Sequence, residues 1–143
     1  MLKKVNSLNE IQKICDLEKI LFPDSFYKIE QLMQMYADKN YNFYVYKNEN
    51  NIDGYLIVLN LKKEFEIIKI GVNPECQGQG IGTKLMNFLK EEHNPIFLEV
   101  NHHNINAINF YKFHGFVEVG RRKNYYHDLG DAIILKFENE ENK

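Results

Sequence analysis

The sequence predicts a single α/β domain, residues 1–143, built on a mixed β-sheet. Short apolar or alternating segments that are typical of strands are interleaved with amphipathic segments of helical spacing. Two of the helical segments join strands by crossovers, while other strands follow one another through short turns. At 143 residues, the chain is long enough to bury a core without disulfides or metals. The predicted order of elements is β-α-α-β-β-β-α-β-α-β-β.

A short strand and two helices are predicted at the N-terminus. After the strand, Ser7 and Glu10 have the spacing of a capping box at the start of a helix. The apolar face of this helix is formed by Leu8, Ile11, Ile14, Cys15 and Leu21. Pro23 ends the helix, and Asp24 or Ser25 is expected to cap the next one. The inward residues of this second helix are Ile29, Leu32, Met33 and Tyr36.

The middle of the chain is predicted to form three strands. Residues 41–47 and 52–61 read as the two arms of a hairpin, because Phe43 and Val45 alternate with polar positions. Gly54 within the second arm suggests a bulge or a close approach of another segment. Residues 65–72 form the next strand, which is rich in β-branched and aromatic residues.

The last part of the chain is predicted to add three strands and a helix. Residues 96–100 form a short apolar strand, and Asn104 caps a helix that Gly115 ends. Residues 116–119 and 132–137 form the closing strands, joined through the basic segment that begins at Arg121. The segment Glu138–Lys143 is expected to be a frayed, charged tail.

A glycine-rich turn, Gln77-Gly78-Gln79-Gly80-Ile81-Gly82, lies between the strand 65–72 and a helix with Ile81, Leu85, Phe88 and Leu89 on one face. Glycines lack Cβ atoms, so a ligand can lie against the backbone. The N–H groups of the first helical turn have no intrahelical partner, and the helix dipole adds partial positive charge. These features favour a cradle for a pyrophosphate over a plain tight turn.

Two nucleotide-binding folds contain a glycine-rich turn of this kind, and their sequence patterns differ. A dinucleotide fold requires G-x-G-x-x-G at the end of the strand, with an acid roughly 20 residues later. Glu99 lies near that distance, but residues 73–77 intervene and Thr83 occupies the position of the third glycine. The pattern here is Q-x-x-G-x-G, which resembles the pyrophosphate loop of the GNAT acetyltransferases. In that family, the loop binds acetyl-CoA.

The second half of the chain extends this resemblance. The residues similar to the coenzyme-binding core of the family are Glu99, Val100, Asn104, Ala107, Phe110, Tyr111, Gly115 and Phe116. Residues 121–126 and 131–135 resemble a bacterial subfamily that acetylates the N-terminal alanine of a small-subunit ribosomal protein. The resemblance implies the GNAT fold, with a mixed, mostly antiparallel sheet flanked by helices. This chain lacks the Trp usual in that subfamily at the segment corresponding to residues 23–25, so the acceptor side is expected to differ.

The resemblance also assigns catalytic roles. Acetyl transfer to an amine requires a neutral amine, a donor to the oxyanion and a proton for the leaving thiolate. The resemblance makes Glu99 the general base and Tyr111 the acid. The alternative for Glu99 is a structural carboxylate paired with Arg121 or Lys123. The alternative for Tyr111 is a buried aromatic residue whose hydroxyl binds a backbone group.

A coenzyme-binding set follows from the same resemblance. In this fold, the backbone near Ile70–Val72 is left unpaired for the thioester, and Gly71 is compatible with a bulge there. The expected contacts of acetyl-CoA, which acts as co-substrate without a metal, are Ile70, Gly71, Val72, Gln77, Gly78, Gln79, Gly80, Ile81, Gly82, Thr83 and Asn104.

Composition and spacing argue against several other classes of protein and of site. A net charge of −2 and a pI near 6.2 argue against a nucleic-acid partner. No apolar run is long enough for a membrane span, so a cytoplasmic location is expected. Cys15 is interpreted as a core residue, Cys76 is not expected to be a nucleophile, and His102-His103 lacks further metal ligands at suitable spacing.

Three functions remain open from the sequence. The first is acetylation of a protein N-terminal amine, with a ribosomal protein as the partner that the resemblance implies. The second keeps the fold but uses a small amine or another protein amine as acceptor. The third is a binding module that holds acetyl-CoA without catalysis.

Overall fold

The computed structural model describes residues 1–139, and its elements follow the predicted order, with one addition, a 3₁₀ helix. The elements are β1 (Leu2–Lys4), α1 (Leu8–Leu21), α2 (Ile29–Ala37), β2 (Tyr41–Asn48), β3 (Asn51–Leu61), β4 (Glu64–Val72), the 3₁₀ helix (Pro74–Cys76), α3 (Ile81–Lys90), β5 (Ile96–Asn101), α4 (Ile105–Phe113), β6 (Val117–Arg122) and β7 (Ala132–Phe137).

The strands form one mixed sheet in the order β1-β2-β3-β4-β5-β7-β6. β4 and β5 are parallel, with Phe65 opposite Ile96 and Glu66 opposite Phe97. The recorded pairs β1/β2, β2/β3, β5/β7 and β6/β7 are antiparallel. The predicted mixed and mostly antiparallel sheet is therefore confirmed.

The chain folds as two compact units. Residues 1–60 and 67–89 form the first, and residues 61–66 and 90–139 form the second. Strand β4 contributes its first three residues to the second unit and the rest to the first. None of the helices within residues 1–139 has the length and apolar composition needed to cross a membrane.

The core of the first unit is formed by the inner faces of α1, α2, β2 and β3. Its buried residues include Ile11, Ile14, Cys15, Leu32, Phe43, Val45, Tyr55 and Ile57. The alternation predicted for β2 is confirmed, since Phe43 and Val45 are buried. The prediction that Leu8 and Met33 point inward is wrong, because Leu8 is 57% exposed and Met33 is 39% exposed. Both are at the edges of their apolar stripes, where helical spacing alone does not decide burial.

The start of α2 differs from the prediction. Neither Asp24 nor Ser25 caps the helix, because the Ser25 N–H donates to the Phe22 carbonyl (3.0 Å) and turns the chain first. The helix begins four residues later, after Lys28, whose N–H donates to the Gln31 side chain (2.9 Å). Asp and Ser favour turns as well as helix caps, and here both residues lie in a turn.

The start of α1 has the predicted Ser7 cap, but the Glu10 side chain binds one residue before the N–H that a capping box requires. The Glu10 N–H donates to Ser7 Oγ (3.3 Å), and the Glu10 carboxylate reaches back to the Asn6 N–H (3.0 Å). This carboxylate also pairs with Lys3 (2.9 Å) and Lys47 (3.2 Å). Burial alone would raise the pKa of Glu10, but the Asn6 N–H and the two lysines lower it to about 2.

A buried polar cluster in the first unit was not predicted. Glu18 of α1 is fully buried and accepts hydrogen bonds from the Tyr55 hydroxyl and from the Tyr27 N–H (3.0 Å). Lys69 of β4 lies 3.6 Å from this carboxylate and 3.5 Å from the ring centroid of Phe22. Burial lowers the pKa of Lys69. The cluster therefore connects α1, the segment after it, β3 and β4 by charge-assisted contacts.

The second unit contains the closing strands and α4. Strand β6 runs to Arg122 rather than ending at Val119 as predicted. Its register against β7 shifts between Glu118 and Gly120, so Val119 is an extra residue that forms a β-bulge. Beyond the bulge the strand continues because Arg121 and Arg122 pair with Ile133 and Ala132 of β7, and the Arg121 side chain also pairs with Asp131 (3.1 Å). Of the predicted charged tail, residues 140–143 lie outside the described part.

Candidate functional site

The glycine-rich turn of the first unit is exposed and open. Gly78 and Gly80 adopt φ values of +85° and +78°, in the left-handed region that favours glycine. A Cβ atom at either position would have no atom within 4 Å. At the start of α3, the Lys84 N–H donates a hydrogen bond to the Gly80 carbonyl (3.0 Å). The turn thus presents bare backbone and a helix N-terminus, the arrangement that binds phosphate groups.

A short connection positions this turn after β4. The Asn73 N–H donates to the Asp53 carbonyl (2.8 Å), and the Asn73 side chain accepts from the Glu75 N–H (3.1 Å). These bonds fix the 3₁₀ helix of residues 74–76, which was not predicted from the sequence. The signal was present, because Asn followed by Pro favours the start of a turn.

Close packing explains why glycine occupies two positions in the strands beside the turn. A Cβ on Gly54 would lie 2.8 Å from Ile81 Cγ2, so the predicted close approach is confirmed. A Cβ on Gly71 would lie 2.6 Å from Tyr55 Cε1 and 2.7 Å from Leu21 Cδ1. Gly71 is therefore required by the side chains that cover it. Its expected part in coenzyme binding, with Ile70 and Val72, stays a prediction.

In the second unit, Glu99 faces a cavity of about 230 Å³. Its neighbours in β5, Leu98 and Val100, are buried, whereas Glu99 is exposed on the opposite face of the strand. The lining residues are Leu61, Glu64, Glu66, Phe97, Leu98, Glu99, Arg122 and Ile134. Acidic side chains and one arginine thus surround apolar walls in a single concave site.

The charged groups of this cavity interact with one another. Arg122 Nη2 lies 3.4 Å from Glu99 Oε1, with both side chains partly open to solvent. The expected alternative partners were wrong, since Arg122 pairs with Glu99 and Arg121 pairs instead with Asp131 and Glu118. Burial and the neighbouring charge of Glu99 raise the pKa of Glu66, against the opposing effect of Arg122.

Helix α4 holds Tyr111. The helix begins as predicted at Asn104, whose side-chain oxygen accepts from the Ala107 N–H (3.2 Å). Tyr111 is 8% exposed and its ring packs against Phe110 and Phe116 at centroid distances of 5.5 and 5.6 Å. Burial raises the pKa of Tyr111, so the phenol keeps its proton at neutral pH. Its hydroxyl has no hydrogen-bond partner among residues 1–139.

Two members of the cavity, Glu66 and Arg122, were not predicted from the sequence. Residues 64–67 alternate charged and apolar side chains, which is the pattern of a strand with one polar face. That pattern could have identified Glu66. Arg122 depends on the β-bulge of β6, and no sequence signal indicated that bulge.

Other reactive side chains have structural roles. Burial, with a hydrogen bond to Asp53 next in size, raises the pKa of Cys76 and disfavours the thiolate. Cys15 is buried in the core, as predicted. His103 Nδ1 lies 3.0 Å from Asp128, and His102 Nδ1 accepts from the Asp131 N–H (2.6 Å). The two histidines therefore join loops of the second unit.

Comparisons with known proteins identify relatives over most of the chain. The family described as acetyltransferase (GNAT) matches residues 6–116. An N-alpha-acetyltransferase of Sulfurisphaera tokodaii is 29% identical, over 90% of this chain and 87% of its own. A putative ribosomal protein bS18-alanine N-acetyltransferase of Bacillus subtilis is 31% identical, over 90% of this chain and 89% of its own. The crystal structure of the ribosomal-protein-S18-alanine N-acetyltransferase of Escherichia coli superimposes with a TM-score of 0.85 at 22% identity, covering 96% of this chain and 92% of that one.

Proposed function

This chain belongs to the GNAT family of acetyltransferases, and we propose that it transfers the acetyl group of acetyl-CoA to the N-terminal amine of a protein. The names of its relatives support an α-amine as acceptor. The Bacillus relative supports the narrower proposal of an N-terminal alanine of a small-subunit ribosomal protein. Acetylation would remove the positive charge of that terminus.

In the proposed reaction, Glu99 takes a proton from the ammonium group, directly or through a water molecule. The amine then attacks the thioester carbonyl and the C–N bond forms. The nitrogen releases its second extra proton to solvent as the C–S bond breaks. Tyr111 donates its proton to the departing thiolate and regains one from solvent. An α-amine has a pKa near 7.7–8.0, against about 10.4 for a lysine side chain, so a carboxylate base serves the α-amine more readily.

The pyrophosphate and the thioester of the coenzyme are assigned to residues of the first unit. The N–H groups of the turn from Gln77 to Thr83 would receive the pyrophosphate. The backbone of Ile70–Val72 would receive the thioester and provide the donor to the oxyanion. Asn104 is assigned a further contact with the coenzyme. The left-handed glycines of the turn support this proposal, because they leave its backbone uncovered.

The observation that carries the proposal is the position of Glu99. A carboxylate in the middle of a strand between two buried apolar residues is costly unless it is solvated or used. Here it opens into a cavity large enough for the end of an acceptor and it retains solvent access. It can therefore exchange a proton with a bound amine.

The test is acetyl transfer to an alanine-initiated peptide by wild type, Glu99→Gln and Tyr111→Phe. Each substitution is expected to lower kcat by 10²-fold or more, the usual contribution of acid–base groups, while the Kd of acetyl-CoA changes less than threefold. Glu92→Gln is the matched control, since it removes an equal charge at an exposed position outside the cavity. Unchanged kcat in both site variants would overturn the roles of Glu99 and Tyr111.

The acceptor class is tested by mass spectrometry. The substrates are a peptide with a free N-terminal alanine, the same peptide blocked at its N-terminus but carrying a lysine, and free polyamines. One acetyl group on the free α-amine alone is the expected result. Transfer only to the lysine or to polyamines would replace the proposed acceptor, and tight coenzyme binding without any transfer would support the binding-module alternative.

A further inference from the structure

The cavity beside Glu99 contains a second carboxylate, Glu66, that the proposed reaction does not use. Glu66 lies on β4 opposite Phe97, and Glu99 lies two residues further along β5. Side chains two residues apart in a strand share a face, so Glu66, Phe97 and Glu99 open to the same side of the sheet. All three line the cavity.

The charges around Glu66 are unbalanced. Three carboxylates, those of Glu64, Glu66 and Glu99, face the single guanidinium of Arg122 within the lining. Arg122 is engaged with Glu99, and among residues 1–139 Glu66 forms no hydrogen bond or ion pair. Lys136 of β7 does not line the cavity and pairs with Glu138 (3.4 Å).

A half-buried carboxylate next to another carboxylate is unfavourable when both are ionised. Burial and the charge of Glu99 accordingly raise the pKa of Glu66. A cation that enters the cavity would offset both effects, because it attracts each carboxylate. The apolar walls of Leu61, Phe97 and Ile134 would at the same time reduce the screening by water.

We propose that Glu66 is a positioning residue that holds the ammonium group of the acceptor in the cavity before Glu99 removes its proton. This inference rests on the proposed function, in which the acceptor is an amine and Glu99 is the base. It assigns two tasks to two carboxylates: Glu66 contributes to binding of the charged acceptor, and Glu99 contributes to turnover. Glu66 takes no proton in the reaction.

Kinetics with an alanine-initiated peptide at saturating acetyl-CoA separate these tasks. Glu66→Gln is expected to raise the KM of the peptide about tenfold and to leave kcat within twofold of wild type. Glu66→Asp, which keeps the charge, is expected to recover most of this loss. Glu92→Gln is the control of equal charge outside the cavity.

Inhibition by two peptides that cannot be acetylated tests binding without catalysis. In one peptide the N-terminal alanine is N,N,N-trimethylated and always cationic, and in the other a propionyl group replaces the alanine and is neutral. With coenzyme A present, Glu66→Gln is expected to raise the Ki of the cationic peptide about tenfold and to leave that of the neutral peptide unchanged. An unchanged Ki for the cationic peptide, or equal losses for both, would overturn the inference.

These outcomes are independent of the test of the proposed function. If Glu99→Gln kept full kcat while Glu66→Gln still weakened the cationic peptide, the role of Glu99 would fail and that of Glu66 would stand. If the Glu66 variants did not fold, inhibition of the wild-type protein by the two peptides would still test the inference. Its Ki for the cationic peptide should rise with ionic strength and that for the neutral peptide should not, and equal salt dependence would contradict the inference.

Discussion

Substitution of Gly80 by alanine tests the assignment of the coenzyme to the glycine-rich turn. Gly80 has φ +78°, and a Cβ there would meet no protein atom within 4 Å. The cost to the free protein is therefore the left-handed backbone alone, about 1–2 kcal/mol. For a chain of 143 residues, this corresponds to a fall in Tm of roughly 3–7 °C.

The expected effect on the coenzyme is larger. A methyl group on the open side of the turn would hold the pyrophosphate away from the backbone N–H groups. Each hydrogen bond to a charged group contributes about 1.5–3 kcal/mol, so loss of one raises the Kd of coenzyme A roughly 10- to 100-fold. Acetyl-pantetheine, which lacks the pyrophosphate, should be used equally well by wild type and Gly80→Ala.

Calorimetric titration with coenzyme A and thermal unfolding provide the measurements. Gly115→Ala is the matched control, because Gly115 also has a left-handed φ (+91°) but follows the end of α4 and is not among the expected contacts of acetyl-CoA. We expect it to lower Tm at least as much, since its Cβ would lie 3.2 Å from Phe137, and to leave the Kd unchanged. A folded Gly80→Ala variant that binds coenzyme A within twofold of wild type would refute the assignment.

Two further predictions concern stability. Glu18→Ala should lower the free energy of unfolding by about 3 kcal/mol, which is the lower end for a broken buried pair because the Lys69 side chain keeps 17% exposure. Adding Lys69→Met to this variant should restore part of the loss. Urea unfolding of the single and double variants measures both effects, and strictly additive losses would contradict the coupling of the two residues. The folded-state pKa of Glu10 is lowered to about 2, so its contribution is present above its ordinary pKa near 4.5 and is lost as the pH falls from 4.5 toward 2. Glu10→Gln should thus cost up to about 3 kcal/mol at pH 7 and less at pH 3, whereas an equal cost at both would contradict the shift.

The elements that carry strong local signals were predictable. The helix caps at Ser7 and Asn104 and the alternation of Phe43 and Val45 depend on neighbours in sequence. The family followed from the glycine turn and the residues from Glu99 to Phe116. Local patterns fix such features because each requires only residues a few positions apart.

The features that were missed depend on contacts between distant segments. Glu18 is on the apolar stripe of α1, but Lys69 and Tyr55, which make its burial tolerable, come from other strands. The partner of Glu99 could not be chosen among neighbouring basic residues without the register of β6. Such registers are set by the packing of the whole sheet rather than by local propensity.

The bulge at Val119 also bears on how this edge of the protein tolerates insertions and deletions. A change of one residue in a strand exchanges the faces of every side chain beyond it. Arg122 now lies opposite Ala132, on the side of the cavity. Loss of Val119 would remove the bulge without this exchange, because Glu118 and Gly120 already face consecutive residues of β7. The extra residue therefore lets β6 lose one position while Arg122 keeps its place opposite Ala132, beside the cavity.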